Sequence, residues 1–169
     1  MIVRLAAAFA AAALMAGPAA AADEQSITEW AKQTVDATGW APAGGSANGV
    51  ALVPEGREPG AAVAPFQLQM RVEFREPAKD PDGHEMRSLL DTLEVDCAKA
   101  QVRSVKQERH SENNLKGETW TSEASSWRPM TPNDGPGSYA LSACPAGALP
   151  PGLLAAFANK QAELQRNGH

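Results

Sequence analysis

PFQLQMRVEFRE, Pro65 to Glu76, alternates apolar and polar residues from Phe66 to Arg75 without a break. Phe66, Leu68, Met70, Val72 and Phe74 recur every second residue, between Gln67, Gln69, Arg71, Glu73 and Arg75. This period of two predicts a strand with one dry and one wet face. A helix would spread the same apolar groups around its circumference. A single dry face in turn predicts an antiparallel sheet packed on one side. Burying each of the larger apolar side chains contributes roughly 1.5–3 kcal/mol before entropy is counted.

Downstream the pattern continues in shorter pieces. Residues 77–84, PAKDPDGH, read as a turn, and residues 86–97 as a strand with Leu89, Leu93, Val95 and Cys97 on one face. Ala98-Lys99 reverses the chain into a polar strand, residues 101–110, carrying Val102 and Val105. Its Arg103, Lys106, Glu108 and Arg109 read as a solvated face, and a ligand groove there is the alternative. Asn113-Asn114 and Gly117 supply a hairpin connection, and residues 118–124 return as a strand. Residues 128–137, with three prolines and two glycines, predict irregular chain. Ser138 would cap a helical turn over 139–144, with a short strand as the competing reading. After Pro151, the residues Leu153, Leu154, Phe157, Ala158, Gln161 and Leu164 share one face of a last helix, about 151–165.

Upstream, residues 49–54 read as a short strand and residues 55–62 as a loop. Residues 40–48, WAPAGGSAN, carry turn chemistry; Gly44-Gly45 lacks the lysine of a phosphate-binding loop. Ser26 and Glu29 form a capping box for a helix over 27–37, with Trp30 as its core anchor and Gly39 to stop it. A strand competes there because Thr34-Val35 favours extension. The chain opens with Arg4, an apolar run from Leu5 to Met15 and the small residues Ala20-Ala21-Ala22. That is a secretory signal peptide, residues 1–22, cleaved after Ala22. The run is shorter than the ~20 residues a membrane helix needs. No cysteine stands at the cleavage site, so no lipid anchor is expected. The predicted mature chain, residues 23–169, is one domain, periplasmic or secreted.

Export decides the chemistry of Cys97 and Cys144. In an oxidising compartment two thiols pair, and closing so long a loop is worth ~4 kcal/mol by chain entropy. A metal site needs three or four spaced ligands; His84, His110 and His169 are scattered and read as solvated loop or terminal residues. A cysteine nucleophile needs a lowered pKa, whereas Asp96 beside Cys97 would raise it. Asp80, Asp82 and Gly83 echo a calcium loop but lack its closing glutamate. No metal, cofactor or catalytic residue is assigned. The chain carries 15 Lys and Arg against 20 Asp and Glu, a net charge of −5, and the leader would remove only Arg4 among them. Phosphate recognition needs a basic face, so nucleic acid is not an expected partner.

The second half also carries an ordered set of motifs: Val95-Asp96-Cys97, the arginine-bearing strand 101–109, Gly117, Trp127-Arg128-Pro129, Pro136-Gly137-Ser138 and Cys144. Over about 49–144 this resembles the surface-adhesin protein E-like family of small secreted bacterial proteins. The resemblance implies an antiparallel sheet with a helix packed on it and a Cys97–Cys144 disulfide. The family's founder is a surface lipoprotein that binds host matrix proteins; this chain lacks the lipid-attachment cysteine.

Together these readings predict an α+β fold. Five to six antiparallel strands carry a C-terminal helix, and a short N-terminal helix, packed on one face, with one disulfide. The function expected is a non-catalytic exported interaction domain with a protein partner in the envelope or outside the cell. The alternatives are a small-ligand carrier using the space between helix and sheet, and an acid-based hydrolase using Glu94 and Asp96.

Overall fold

The structure is a computed structural model that describes residues 19–56 and 65–166. Residues 1–18 of the expected leader, residues 57–62 of the expected loop and His169 lie outside them.

Six antiparallel strands lie in chain order: β1 (Trp40–Ser46), β2 (Gly49–Pro54), β3 (Phe66–Lys79), β4 (Glu85–Asp96), β5 (Gln101–Glu112) and β6 (Lys116–Ser122). A two-residue β7 (Arg128–Pro129) pairs with the start of β5. From β1 to β6 sequence neighbours are space neighbours, so the sheet is a meander, and only β7 departs from this order by returning to β5. Among the described residues there are three α-helices, α1 (Ala19–Thr34), α2 (Gly135–Ala143) and α3 (Pro151–Arg166), with a 3-10 turn at Ala146–Ala148 between the last two.

The alternation in β3 sets the register. Leu68 pairs with Leu93 and Phe66 with Val95 across β3 and β4, and Val95 pairs with Val102 on β5. These residues share one face. Met130 and Ala140, Leu141, Ala143 and Cys144 of α2 and its flanks cover that face; Leu153, Leu154 and Phe157 of α3 pack against the cluster. Cys97 and Cys144 are joined by a disulfide with Cα atoms 5.7 Å apart. It ties the end of β4 to the end of α2, and both sulfur-bearing residues belong to the core.

Several expectations are corrected. Residues 40–48 are not a turn but β1 and its reversal into β2. Glycine and alanine give no alternating signal, yet their backbones complete the ladder with β2. β3 runs to Lys79, past Pro77, with a register irregularity between Glu73 and Ala78 that accommodates the proline. α1 begins at Ala19, so Ser26 lies inside the helix and does not cap it. The alanines before it are strong helix formers and carry the helix upstream. Ile27, 3% exposed, is buried, and Trp30 is only half-buried.

The segment 128–137 is not wholly irregular, since it holds β7 and the start of α2. Asp134, not Ser138, caps that helix. Its carboxylate accepts the Gly137 N–H at 2.6 Å and the Thr131 hydroxyl, and takes both terminal nitrogens of Arg128. Gly137 is required there, because a Cβ would stand 2.6 Å from the Thr131 carbonyl oxygen. Replacing Asp134 by alanine should cost about 1–2 kcal/mol, the upper part of the range for losing a cap. Urea denaturation of the two proteins measures it, and a difference near zero would show that α2 does not depend on this cap.

Candidate binding surfaces

The two sheet faces carry different chemistry. On the face away from α2 and α3, the alternation predicts Arg71 and Glu73 to be wet. They are instead buried, at 4% and 0% exposure. Arg71 Nε donates to Glu73 Oε1 at 2.6 Å, and Asn113 Nδ2 and the Asn114 N–H donate to Glu73 as well. Arg71 also reaches the Asp36 carbonyl and Asn114 Oδ1, and Asn114 Nδ2 donates to the Thr34 carbonyl. The hairpin turn between β5 and β6, with Asn114 and Leu115 at positive φ, thus clamps the end of α1 onto β3. This network closes the carbonyls a helix end leaves open.

Farther along the same face, α1 gives way to open sheet. Arg103 donates from Nε and Nη2 to Glu94, and its guanidinium lies 4.8 Å from the Trp127 ring centroid. Lys106 pairs with Glu108 beside it. Arg109, expected here, is on the opposite face. A bulge at Val105 breaks the register, because Thr92 pairs with Lys106 but Leu93 with Ser104. The one-residue slip turns every later side chain over.

Both carboxylates of the hydrolase alternative have cationic partners. Glu94 is committed to Arg103. Asp96 accepts the Lys99 N–H at 3.0 Å and pairs with its ammonium, which holds its carboxyl below the usual range. That is turn-capping chemistry for the reversal from β4 to β5.

The calcium echo is likewise spent. Asp80 Oδ1 accepts the N–H groups of Asp82 and His84; Oδ2 accepts the Trp120 indole N–H at 2.9 Å and faces the His84 ring and Arg109. Asp80, Asp82 and His84 do bring ligand atoms within 4.8 Å of one another, but the central carboxylate is fully engaged by donors. His84 is exposed as expected. His110 is not: it is 7% exposed, its Nδ1 bonded to the Thr119 hydroxyl, and burial pushes its pKa down. Sequence reasoning missed it because β5 continues two residues beyond it.

The dry face holds a second buried acid. Asp91, 2% exposed, sits opposite Met70, with Oδ2 accepting from Ser104 and Gln107 and Oδ1 without a partner among the described residues. Burial pushes its carboxyl up, against the pull of Gln107 and Ser104. Asp80 and Asp91 therefore titrate with opposite sign. Desolvation raises Asp80, but the Trp120 and His84 donors outweigh it and hold it at about 2. Its contribution to stability is present above the unfolded value of 3.8 and lost as pH falls towards 2. The melting-temperature gap between wild type and Asp80→Asn should be open at pH 7 and closed near pH 2; a gap independent of pH refutes the assignment. Asp91 favours folding below its unfolded pKa, an advantage lost as pH rises through the raised folded value. Asp91→Asn should therefore be neutral or stabilising at pH 7 in the same melts, and a clear loss at pH 7 contradicts the burial argument.

Beyond Met70 the described residues cover the dry face only in part. A groove of about 660 Å³ runs between β1–β3 and the helices α2 and α3.

A single antiparallel meander, capped by helices and crosslinked to them by one disulfide, defines a small disulfide-stapled α+β domain. The family profile described as Surface-adhesin protein E matches residues 56–145, more than half of the chain, and the chain belongs to that family. No curated protein and no solved structure matches it. Among the described residues, no helix is long and apolar enough to cross a membrane.

Proposed function

We propose that the chain is a non-catalytic, exported interaction domain that uses the open half of its polar sheet face to hold a protein partner in the cell envelope or outside the cell. The observation that carries this reading is Arg103, fixed by Glu94 and laid over the half-exposed Trp127. Arginine and tryptophan are the side chains on which interface energy concentrates, and a pre-ordered guanidinium loses less entropy on docking. Family membership supports the same class of role. The leader, residues 1–22, would deliver the chain to the periplasm or beyond.

A photocrosslinking residue at Thr121, beside this face, tests the proposal in living cells. A discrete crosslinked protein should form and should vanish in Arg103→Glu and in Trp127→Ala. Crosslinks that persist unchanged in both variants would place the partner elsewhere.

A further inference from the structure

The groove on the opposite face carries chemistry that the polar surface does not. Its floor is Val53, Met70, Val72 and Phe74, and its far wall is built by Tyr139 and Phe157. The β1 rim has no side chain larger than serine after Pro42, and a Cβ at Gly44 would meet nothing within 4 Å. The volume, about 660 Å³, falls in the range of small-molecule sites, ~300–1,000 Å³.

Charge narrows the occupant. Of the described residues lining the groove, only Asp134 is charged at neutral pH, and its carboxylate is consumed by Arg128, Thr131 and Gly137. In a chain with 21% charged residues, the described lining of this concavity offers no free counter-ion. A charged ligand head buried there would be unpaired, which is costly. Ser138, Ser142 and Gln161 supply hydroxyl and amide groups on the helix side, suited to a neutral polar head.

The edge of the groove also argues against an added peptide strand. β1 carries Pro42, which has no N–H, and a register break between Pro42 and Gly44. Both features blunt an edge against strand pairing. We propose that the groove binds an uncharged, elongated apolar molecule: an aliphatic chain ending in a hydroxyl or ester head.

The test is fluorescence titration of the full chain with N-phenyl-1-naphthylamine, an uncharged probe, followed by displacement with monoolein or oleate at neutral pH. Saturable binding is expected, with displacement by monoolein and about tenfold or greater weakening for oleate, whose carboxylate finds no partner. Ser142→Trp, at an exposed position on the helix wall, should fill the groove and abolish probe binding without altering the fold. Val72→Asp should do so by charging the floor. Arg103→Glu, on the other face, should leave the titration unchanged, so failure of the partner proposal and failure of this one are separable. The inference is overturned by absent saturation, by equal affinity for oleate and monoolein, by wild-type binding in Ser142→Trp, or by displacement with a neutral hydrophobic peptide but not with monoolein.

Discussion

Replacing Glu73 by alanine is expected to lower the unfolding free energy by about 3–5 kcal/mol, the cost of leaving a buried charge without its partner. Glu73 is fully buried, and Arg71 beside it is 4% exposed. Removing the carboxylate strips the guanidinium of its counter-charge, leaves the Asn114 N–H without its acceptor and takes one of three acceptors from Asn113 Nδ2, which keeps the Phe74 and Arg87 carbonyls. The hairpin turn that holds α1 is built on those bonds, so the end of α1 should loosen with it. Urea unfolding gives the free energy. Hydrogen exchange at Asp36, whose N–H is held by Asn114 Oδ1 at 2.7 Å, reports the local effect. Replacing both partners, Arg71→Met with Glu73→Leu, should recover most of the loss, because a matched apolar pair removes the desolvation cost along with the bond. If Glu73→Ala unfolds with the wild-type midpoint, the network is peripheral and the account of how α1 is held is wrong.

Removal of the disulfide should be comparably damaging. Cys97 and Cys144 are 47 residues apart, and the chain-entropy relation assigns such a loop about 4 kcal/mol. The crosslink closes a loop that holds β5, β6, β7 and all of α2, and so anchors α2 on the dry face that it covers. In Cys97→Ala/Cys144→Ala the unfolded chain regains that freedom, and two small voids open beside Val95 and Leu141. Unfolding in urea with and without reductant should separate oxidised wild type from both the reduced protein and the double variant. Two titratable thiols in native, unreduced exported protein, or a loss below about 1 kcal/mol, would remove the crosslink from its place in the argument.

The sheet was legible because alternation is a local property. Phe66 to Phe74 announce their own dry face, and Leu93, Val95 and Cys97 repeat it, so the central strands follow from the order of residues. The last helix was legible for the same reason through Leu153, Leu154 and Phe157. The start of α1 and the Asp134 cap were misread. Several candidate signals competed locally in each case, Ser26 against the upstream alanines and Ser138 against Asp134. β1 was invisible, because a glycine-rich edge strand is defined by its neighbour's hydrogen bonds rather than by its own side chains.

By itself the sequence determined which residues build the dry face, which two cysteines cross-link, and which family the chain resembles. These depend on residue type, period and compartment, all of which act along the chain. Only the tertiary structure decided that Glu73 and Arg71 are dry, that Arg109 leaves the polar face, and that a neutral groove opens beyond Met70. Each of those depends on an element from elsewhere in the chain. The turn at Asn113-Asn114 seals one face, a bulge at Val105 inverts a strand, and α2 and α3 leave a groove between themselves and β1–β3.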